Sequence, residues 1–502
     1  MNNIVELLAS EVAAHPQQLA FVQGKRQITY GDFWQRVLRR VALYRQRGVG
    51  KGDRVLVFVP MSIELYEILS ALFHIGATAV FLDAWASRQR LELSLELASC
   101  KACIMIPKAW LLLLFSRAMR KVPLKMFPGT IGSTAVTTPP EADADTALVT
   151  FTTGSTGIPK AAKRTHRFLL EQQRILAKEL SLPRGTVDLA TLPIFALGNL
   201  ASGLTTLIPS FDMRRPGDFD PLPVIAEAKR HHVASSCASP AFFQCLMKGL
   251  TTPDELGCLK RLATGGAAVT PTFAAKLLRA FPAAKSLALY GSTEAEPIAS
   301  VPLEELANHG DVTHGLLAGK VISEISIAIL PMDRPIRHQY SPEEWSELQC
   351  PTGTVGEICV AGPHVLKEYF SNPQAFQENK IIVGEEIYHR TGDAGRLDEA
   401  RKLYLYGRAS TAFQDAAGAW VYPMLREVQL AEIPGIRAGT ILRTSQGITV
   451  FLETALTHGQ VLKLLADNQI PCQKLVLLEK IPRDPRHHSK IDYGALLEGM
   501  DS

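Results

Sequence analysis

The chain has 502 residues, 47% of them apolar, more than one hydrophobic core usually organises, so at least two domains are predicted. Its 53 basic and 49 acidic residues leave a formal net charge of +4, too small for a nucleic-acid footprint, and nucleic acid is excluded as a partner. Eight cysteines form no disulfide framework, and the C-x-x-C of Cys100 and Cys103 lacks a second pair to complete a tetrahedral metal site, so the thiols read as small hydrophobes in a reducing cytoplasm.

The opening MNNIVELLASEVAAH has neither the basic flank nor the long apolar run of a signal peptide and predicts an amphipathic helix. Residues 54–82 read strand, helix, strand, the unit of a parallel sheet. The apolar run WLLLLF at 110–115 is too short to span a bilayer, which takes roughly 20 residues. Lys108, Arg117, Arg120, Lys121 and Lys125 flank it, as in helices that lie on anionic membranes, which keeps peripheral membrane contact open. The expectation is nevertheless a buried helix with a basic exposed edge.

After a Pro/Thr-rich linker near 137–140, residues 146–153 predict a strand ending in a Gly-rich turn, followed by a helix from about Thr165. Residues 286–291 predict another strand running into a polar turn. The first 400 residues are thus expected to be α/β, with strands at 356–360 and 402–406 forming a smaller β-rich subdomain. Beyond Gly407 the chain changes to short strands at 440–442, 448–452 and 474–478, a helix near Leu462, and a polar segment, IPRDPRHHSKIDYGAL, leading into a last helix. The expected division is a large N-terminal domain, 1–407, and a small mobile α+β C-terminal domain, 408–502.

The strongest chemical signal is Thr152-Thr153-Gly154-Ser155-Thr156-Gly157-Ile158-Pro159-Lys160, directly after an apolar strand. Glycines let backbone amides turn toward a phosphate, hydroxyls add donors, and a lysine adds a mobile positive charge. The spacing is not that of the Walker loop, because Pro159 stands where the second glycine would be. His487 and His488 have no third ligand at a fitting spacing and read as solvated.

This loop resembles the signature of the adenylate-forming superfamily of acyl-CoA synthetases, peptide-synthetase adenylation domains and luciferases. Other motifs follow in the family's order. Thr264-Gly265-Gly266-Ala267-Ala268 resembles the loop beside adenine and the acyl pocket, and Tyr290-Gly291-Ser292-Thr293-Glu294 resembles the Y-G-x-T-E motif. Thr391-Gly392-Asp393 with Gly407-Arg408 resembles the nucleotide-binding pair, and Ser489-Lys490-Ile491-Asp492 the G-K-I-D segment. The resemblance covers nearly the whole chain.

It implies ATP and magnesium, with Thr153, Gly154, Ser155, Thr156, Gly157 and Lys160 on the pyrophosphate, and Gly266, Ala267, Tyr290 and Gly291 around adenine. It further implies Thr293 on the α-phosphate, Glu294 as magnesium ligand, Asp393 on the ribose, Arg408 on ribose or phosphate, and Lys490 bridging the attacking carboxylate and the α-phosphate. Charge gathers on phosphoryl oxygens during such an attack, so cations and donors must already point there.

Three departures bear on the second half-reaction: Ser410 at the family's hinge position, the glycine-poor segment STAFQDAAGAWVYP at 410–423, whose one glycine is Gly418, and Pro423-Met424-Leu425-Arg426-Glu427 where P-x-E-I-E is usual. Leu192-Pro193-Ile194-Phe195-Ala196-Leu197, with Ala196 at the gate, and the segment 484–491 look similar to a branch holding fatty-acid ligases and olefin-pathway β-lactone synthetases. The leading expectation is ATP-dependent activation of a carboxylic, fatty-type acid followed by transfer to CoA or an acyl carrier protein. The alternatives are lactone closure of a β-hydroxy acid, and nucleotide binding without catalysis. Oligomeric state is left open.

Overall fold

The computed structural model describes residues 2–82, 88–141, 145–152, 159–483 and 491–498. The expected strand-helix-strand unit is Arg54–Phe58, Ile63–His74 and Thr78–Phe81. Ser62 caps the helix by accepting from Leu65 N, and every residue of that helix except Glu64 is buried, as a helix walled in by a sheet requires.

These strands belong to a six-stranded sheet ordered Leu124–Met126, Ala102–Met105, Arg54–Phe58, Thr78–Phe81, Thr146–Thr152, Lys160–Thr165. Every pairing in it is parallel except the last, which is antiparallel. A second sheet of 15 strands shows the same change of sense. Its parallel half ends at Lys285–Ser292, which pairs with Arg261–Gly265 in parallel and with Ala295–Pro302 antiparallel. The Gly-rich loop and the Y-G-x-T-E motif therefore both follow the last parallel strand of a sheet, where ligands gather in open α/β folds.

The strands Gly356–Ala361 and Lys402–Arg408 lie in the antiparallel continuation of the large sheet, and this β-rich region has a core of its own around Tyr340, Trp345, Ile381 and Tyr388. Toward the C-terminus, Ile436–Thr444, Gly447–Thr454 and Lys474–Leu478 form a separate three-stranded sheet, the first strand longer than its sequence suggests. Helices Pro423–Glu432 and His458–Asp467 cover it, burying Leu430, Ile441, Val450, Leu452, Val461 and Leu465 together. The opening helix is Val5–Ala14 and the last is Tyr493–Glu498.

One expectation is corrected. The apolar run at 110–115 is not a buried helix. It is split between a 3₁₀ turn, Pro107–Leu111, and a single α-helical turn, Leu112–Phe115, and Leu111, Leu114 and Phe115 are 61%, 67% and 59% exposed. Cys100 and Cys103 are buried free thiols pushed up by burial to about 12 and about 11, which leaves them protonated and inert. Among the described residues no helix is long and apolar enough to cross a membrane.

Candidate active site

The hairpin between Lys285–Ser292 and Ala295–Pro302 organises the site. Thr293 and Glu294 form its turn, and Gly291 permits it, since a Cβ there would meet Ala295 O at 2.8 Å. The turn is fixed from two sides. Leu366 N donates to Glu294 O at 2.7 Å, and Tyr369 Oη donates to Glu294 Oε1 at 3.3 Å. From below, Arg164 Nη2 donates to Thr293 O at 3.0 Å.

Tyr290 and Asp393 meet across the sheet. The Tyr290 hydroxyl donates to Asp393 Oδ2 at 2.8 Å, while Arg408 Nη1 lies 3.4 Å from Asp393 Oδ1 and donates to Thr391 O at 3.2 Å. Burial, followed by the Asp393 charge, holds the Tyr290 phenol well above its ordinary value, so it stays a donor. Asp393 and Arg408 are register partners in the pairing of Glu386–Leu397 with Lys402–Arg408, which is why two motifs distant in sequence meet here. Gly266 follows the neighbouring strand Arg261–Gly265 with φ +80°, a conformation suited to glycine, and Ala267 comes next. Thr264, before them, is buried with its hydroxyl unpartnered.

Lys160 opens the strand after the Gly-rich loop, and its Nζ donates to Asn379 Oδ1 at 3.3 Å. Asn379 O in turn lies 3.3 Å from Nδ1 of His389, a buried ring lowered well below its usual value by burial and then by Lys380, with Lys160 and Arg408 acting in the same direction. Lys160, Lys380 and Arg408 all act against a proton on this ring, and such basic surroundings favour phosphate anions.

The structure brings together Tyr290, Asp393 and Arg408, carries Gly291, Thr293 and Glu294 on the same hairpin as Tyr290, sets the Gly266–Ala267 loop after the neighbouring strand, and places Lys160 on the last strand of the six-stranded sheet, against Asn379. Thr153, Gly154, Ser155, Thr156, Gly157 and Lys490 lie outside the described residues, as do His487 and His488. Three side chains escaped the sequence reading. Arg164 also donates from Nη1 to Thr150 Oγ1 at 3.0 Å, so it bridges the strand entering the Gly-rich loop and the Thr293–Glu294 turn. Tyr369 holds Glu294. Lys380 is fully buried, donates to Leu366 O, sits 5.3 Å over the Tyr369 ring, and is lowered to about 7 by burial, against the pull of Glu294. Arg164 gave little signal in a strand, KAAKRT, that carries two lysines besides, and Lys380 gave none.

Glu294 offers one carboxylate, and among the described residues no group of three or more His, Cys, Asp or Glu side chains is placed to cage a metal. That donor set fits magnesium, which binds through one or two carboxylates plus substrate phosphates.

Comparison with known proteins agrees with this geometry. Residues 8–370 match the model of the AMP-binding enzyme family. The chain is 33% identical over 399 residues to an olefin beta-lactone synthetase of Stenotrophomonas maltophilia, covering 74% of this chain and 70% of that protein. It is 28% identical over 434 residues to a 2-succinylbenzoate–CoA ligase of Geobacillus kaustophilus, covering 84% and 80%. Among solved structures, the fold superposes on ATP-bound MatB from Rhodopseudomonas palustris with a TM-score of 0.82 at 20% identity, covering 100% of this chain and 99% of that one. AMP-bound O-succinylbenzoate coenzyme A synthetase from Bacillus subtilis gives 0.79 at 19% identity, covering 100% and 98%. With a family model spanning most of its length and a relative this similar, the chain belongs to the AMP-binding enzyme family and is an adenylate-forming ligase.

Proposed function

We propose that the protein adenylates a carboxylic acid with a long apolar chain, and that a β-hydroxyl on the same acid then closes the acyl-AMP to a β-lactone. In the first step a carboxylate oxygen attacks the α-phosphorus of ATP and pyrophosphate leaves. In the second the β-hydroxyl oxygen, losing its proton, attacks the acyl carbon and AMP leaves. The observation that carries the first step is the Tyr290–Asp393–Arg408 cluster at the hairpin that bears Glu294, with Arg408 and Lys160 both acting on His389.

In this reading Asp393 turns from Arg408 and Tyr290 to the ribose hydroxyls, Arg408 donates to ribose or phosphate, and Lys160 with residues 153–157 holds the pyrophosphate. Thr293 donates to the α-phosphate, and Lys490 bridges it to the substrate carboxylate. Glu294 holds magnesium, which when bound neutralises charge on the phosphates. An apolar substrate is supported by a cavity between helices His166–Leu180 and Pro193–Ala201, lined by Leu169, Leu176, Leu180, Phe195 and Leu197. Phe195, at its wall, shares a core with Ala263 and Leu289 of the two strands that end at the Gly266 loop and the Thr293–Glu294 turn.

The second step is supported by the olefin beta-lactone synthetases among the relatives, at 33% and 32% identity, which reverses the order the sequence suggested. Transfer to the thiol of CoA or a carrier protein is the second reading, favoured by the CoA ligases at 28% and 26%. A β-hydroxyl held against the acyl carbon can reach an effective molarity far above that of a free thiol, which lets closure compete with transfer despite the strain of a four-membered ring.

Labelled pyrophosphate is expected to exchange into ATP only with acid and magnesium present. Exchange without acid, or no exchange with an acid of any length, overturns adenylation. Mass spectrometry of products from a long-chain acid and its β-hydroxy analogue, each with and without CoA, decides the second step. Abundant acyl-CoA from the plain acid returns the protein to the thiol ligases.

A further inference from the structure

Between Glu96 and Glu141 the chain carries no acidic residue and six basic ones. Lys101 pairs with Asp53, whereas Lys108, Arg117, Arg120, Lys121 and Lys125 make no ion pair among the described residues. Within this tract residues 107–115 form a protruding turn. Leu111, Leu114 and Phe115 stand at i, i+3 and i+4, hence on one side, each about three-fifths exposed or more. Phe127, 46% exposed, extends the patch by stacking on Trp110 at 4.5 Å, while Leu112 and Leu113 turn inward onto the core around Leu95 and Met119.

The polar groups of this tip are closed internally. Arg120 donates to Leu113 O at 3.0 Å and Leu114 O at 3.2 Å, and Arg88 donates to Phe115 O at 2.7 Å. Glu92, the acid at its margin, accepts from Ala118 N at 3.0 Å. A turn whose last carbonyls are satisfied enters an apolar phase without leaving bare acceptors. Around it stand exposed Lys108, Arg117, Arg120 and Lys121. Lysine is depleted at protein interfaces but suits a lipid surface, where its stem lies along apolar material and its ammonium reaches headgroups.

We propose that this tip seats the protein on an anionic lipid surface, with Leu111, Leu114, Phe115 and Phe127 among the acyl chains and Lys108, Arg117 and Lys121 against the headgroups. The contact is independent of the reaction assigned above. It brings an enzyme with no membrane-spanning helix among its described residues to the phase where long-chain acids reside.

The experiment is vesicle flotation of the full chain with phosphatidylcholine alone and with phosphatidylcholine and phosphatidylglycerol in equal parts. The protein is expected to float with the anionic vesicles only, and less so as salt rises. Each basic residue near such a surface raises partitioning about fivefold, so Lys108→Glu, Arg117→Glu and Lys121→Glu together should lower it by on the order of a hundredfold or more. Leu114→Ser with Phe115→Ser should release the protein without changing its charge. Both variants should keep wild-type pyrophosphate exchange and circular dichroism. The proposal is overturned if the wild type ignores anionic vesicles, or if both variants float like it. It is equally overturned if sedimentation shows the serine variant breaking a self-association while vesicle binding is nil, which makes the tip an interface between copies.

Discussion

Arg164 joins the two segments proposed to face the phosphates. Its two terminal nitrogens hold Thr150, two residues before the end of the loop-bearing strand, and Thr293, beside Glu294, while its buried Nε has no partner. Burial lowers its pKa, yet guanidinium stays charged throughout the working range. Arg164→Met leaves both acceptors unpaired at about 1–3 kcal/mol each. Exchange kcat is expected to fall on the order of tenfold, with a higher magnesium requirement, and Arg164→Lys to restore part of it; an unchanged magnesium dependence would mean that Arg164 only packs. For Lys490, the proposed clamp, Lys490→Ala should lower acyl-AMP formation by on the order of a hundredfold while ATP binding changes little. Matching loss of ATP binding would make it a ground-state ligand instead.

At the scale of elements, the helix His166–Leu180 connects the loop-bearing sheet to the apolar cavity, and its first residue is a buried histidine. Thr165 caps it by accepting from Phe168 N, and His166 Nδ1 accepts from Ile4 N at 3.4 Å, which ties the opening helix Val5–Ala14 to it. The ring meets Phe73 edge-on at 5.5 Å. Burial lowers His166 from 6.5 to about 4, opposed weakly by Asp145, and lowers buried His74 to about 4 as well. The folded protein therefore binds fewer protons than the unfolded chain between these values. Stability is unaffected above pH 6.5 and is lost as pH falls toward 4, by up to about 3 kcal/mol per ring. Urea titrations should show this decline, and His166→Phe, which cannot charge, should blunt it. An identical decline in the variant would place the acid sensitivity elsewhere.

For the whole molecule, the question is how the last hundred residues sit on the rest. The proposed boundary after residue 407 falls at Gly407, whose φ is +105° and whose added Cβ would meet Met424 Cβ at 2.6 Å. Among the described residues the seam gathers buried Ala394, Tyr406, Tyr422 and Leu425, whereas the C-terminal sheet has a larger core of its own. So small a contact couples two units weakly. Calorimetry is expected to show two transitions, and Gly407→Ala to cost about 1–3 kcal/mol at the seam. A single transition unmoved by the substitution would mean that the two cores melt as one.

Much of this was legible along the chain because it is local. The strand at 146–152, the turn at 293–294 and the helix from His166 follow from apolar runs, glycines and a threonine cap within a few residues of one another, and the motif order named the family. The same motifs singled out Glu294, Asp393, Arg408 and Lys160, the residues proposed above to face ATP. Only the tertiary structure decided what holds them. Tyr369 on Glu294 and Arg164 on Thr293 join segments 75 and 129 residues apart, and Lys380 is buried against the Leu366 carbonyl, contacts that no period or spacing encodes. The exposed tip at 107–115 was misread for the same reason. A run of leucines states that apolar surface exists, but whether that surface is covered depends on which elements pack beside it, and here Leu111, Leu114 and Phe115 stay open to solvent.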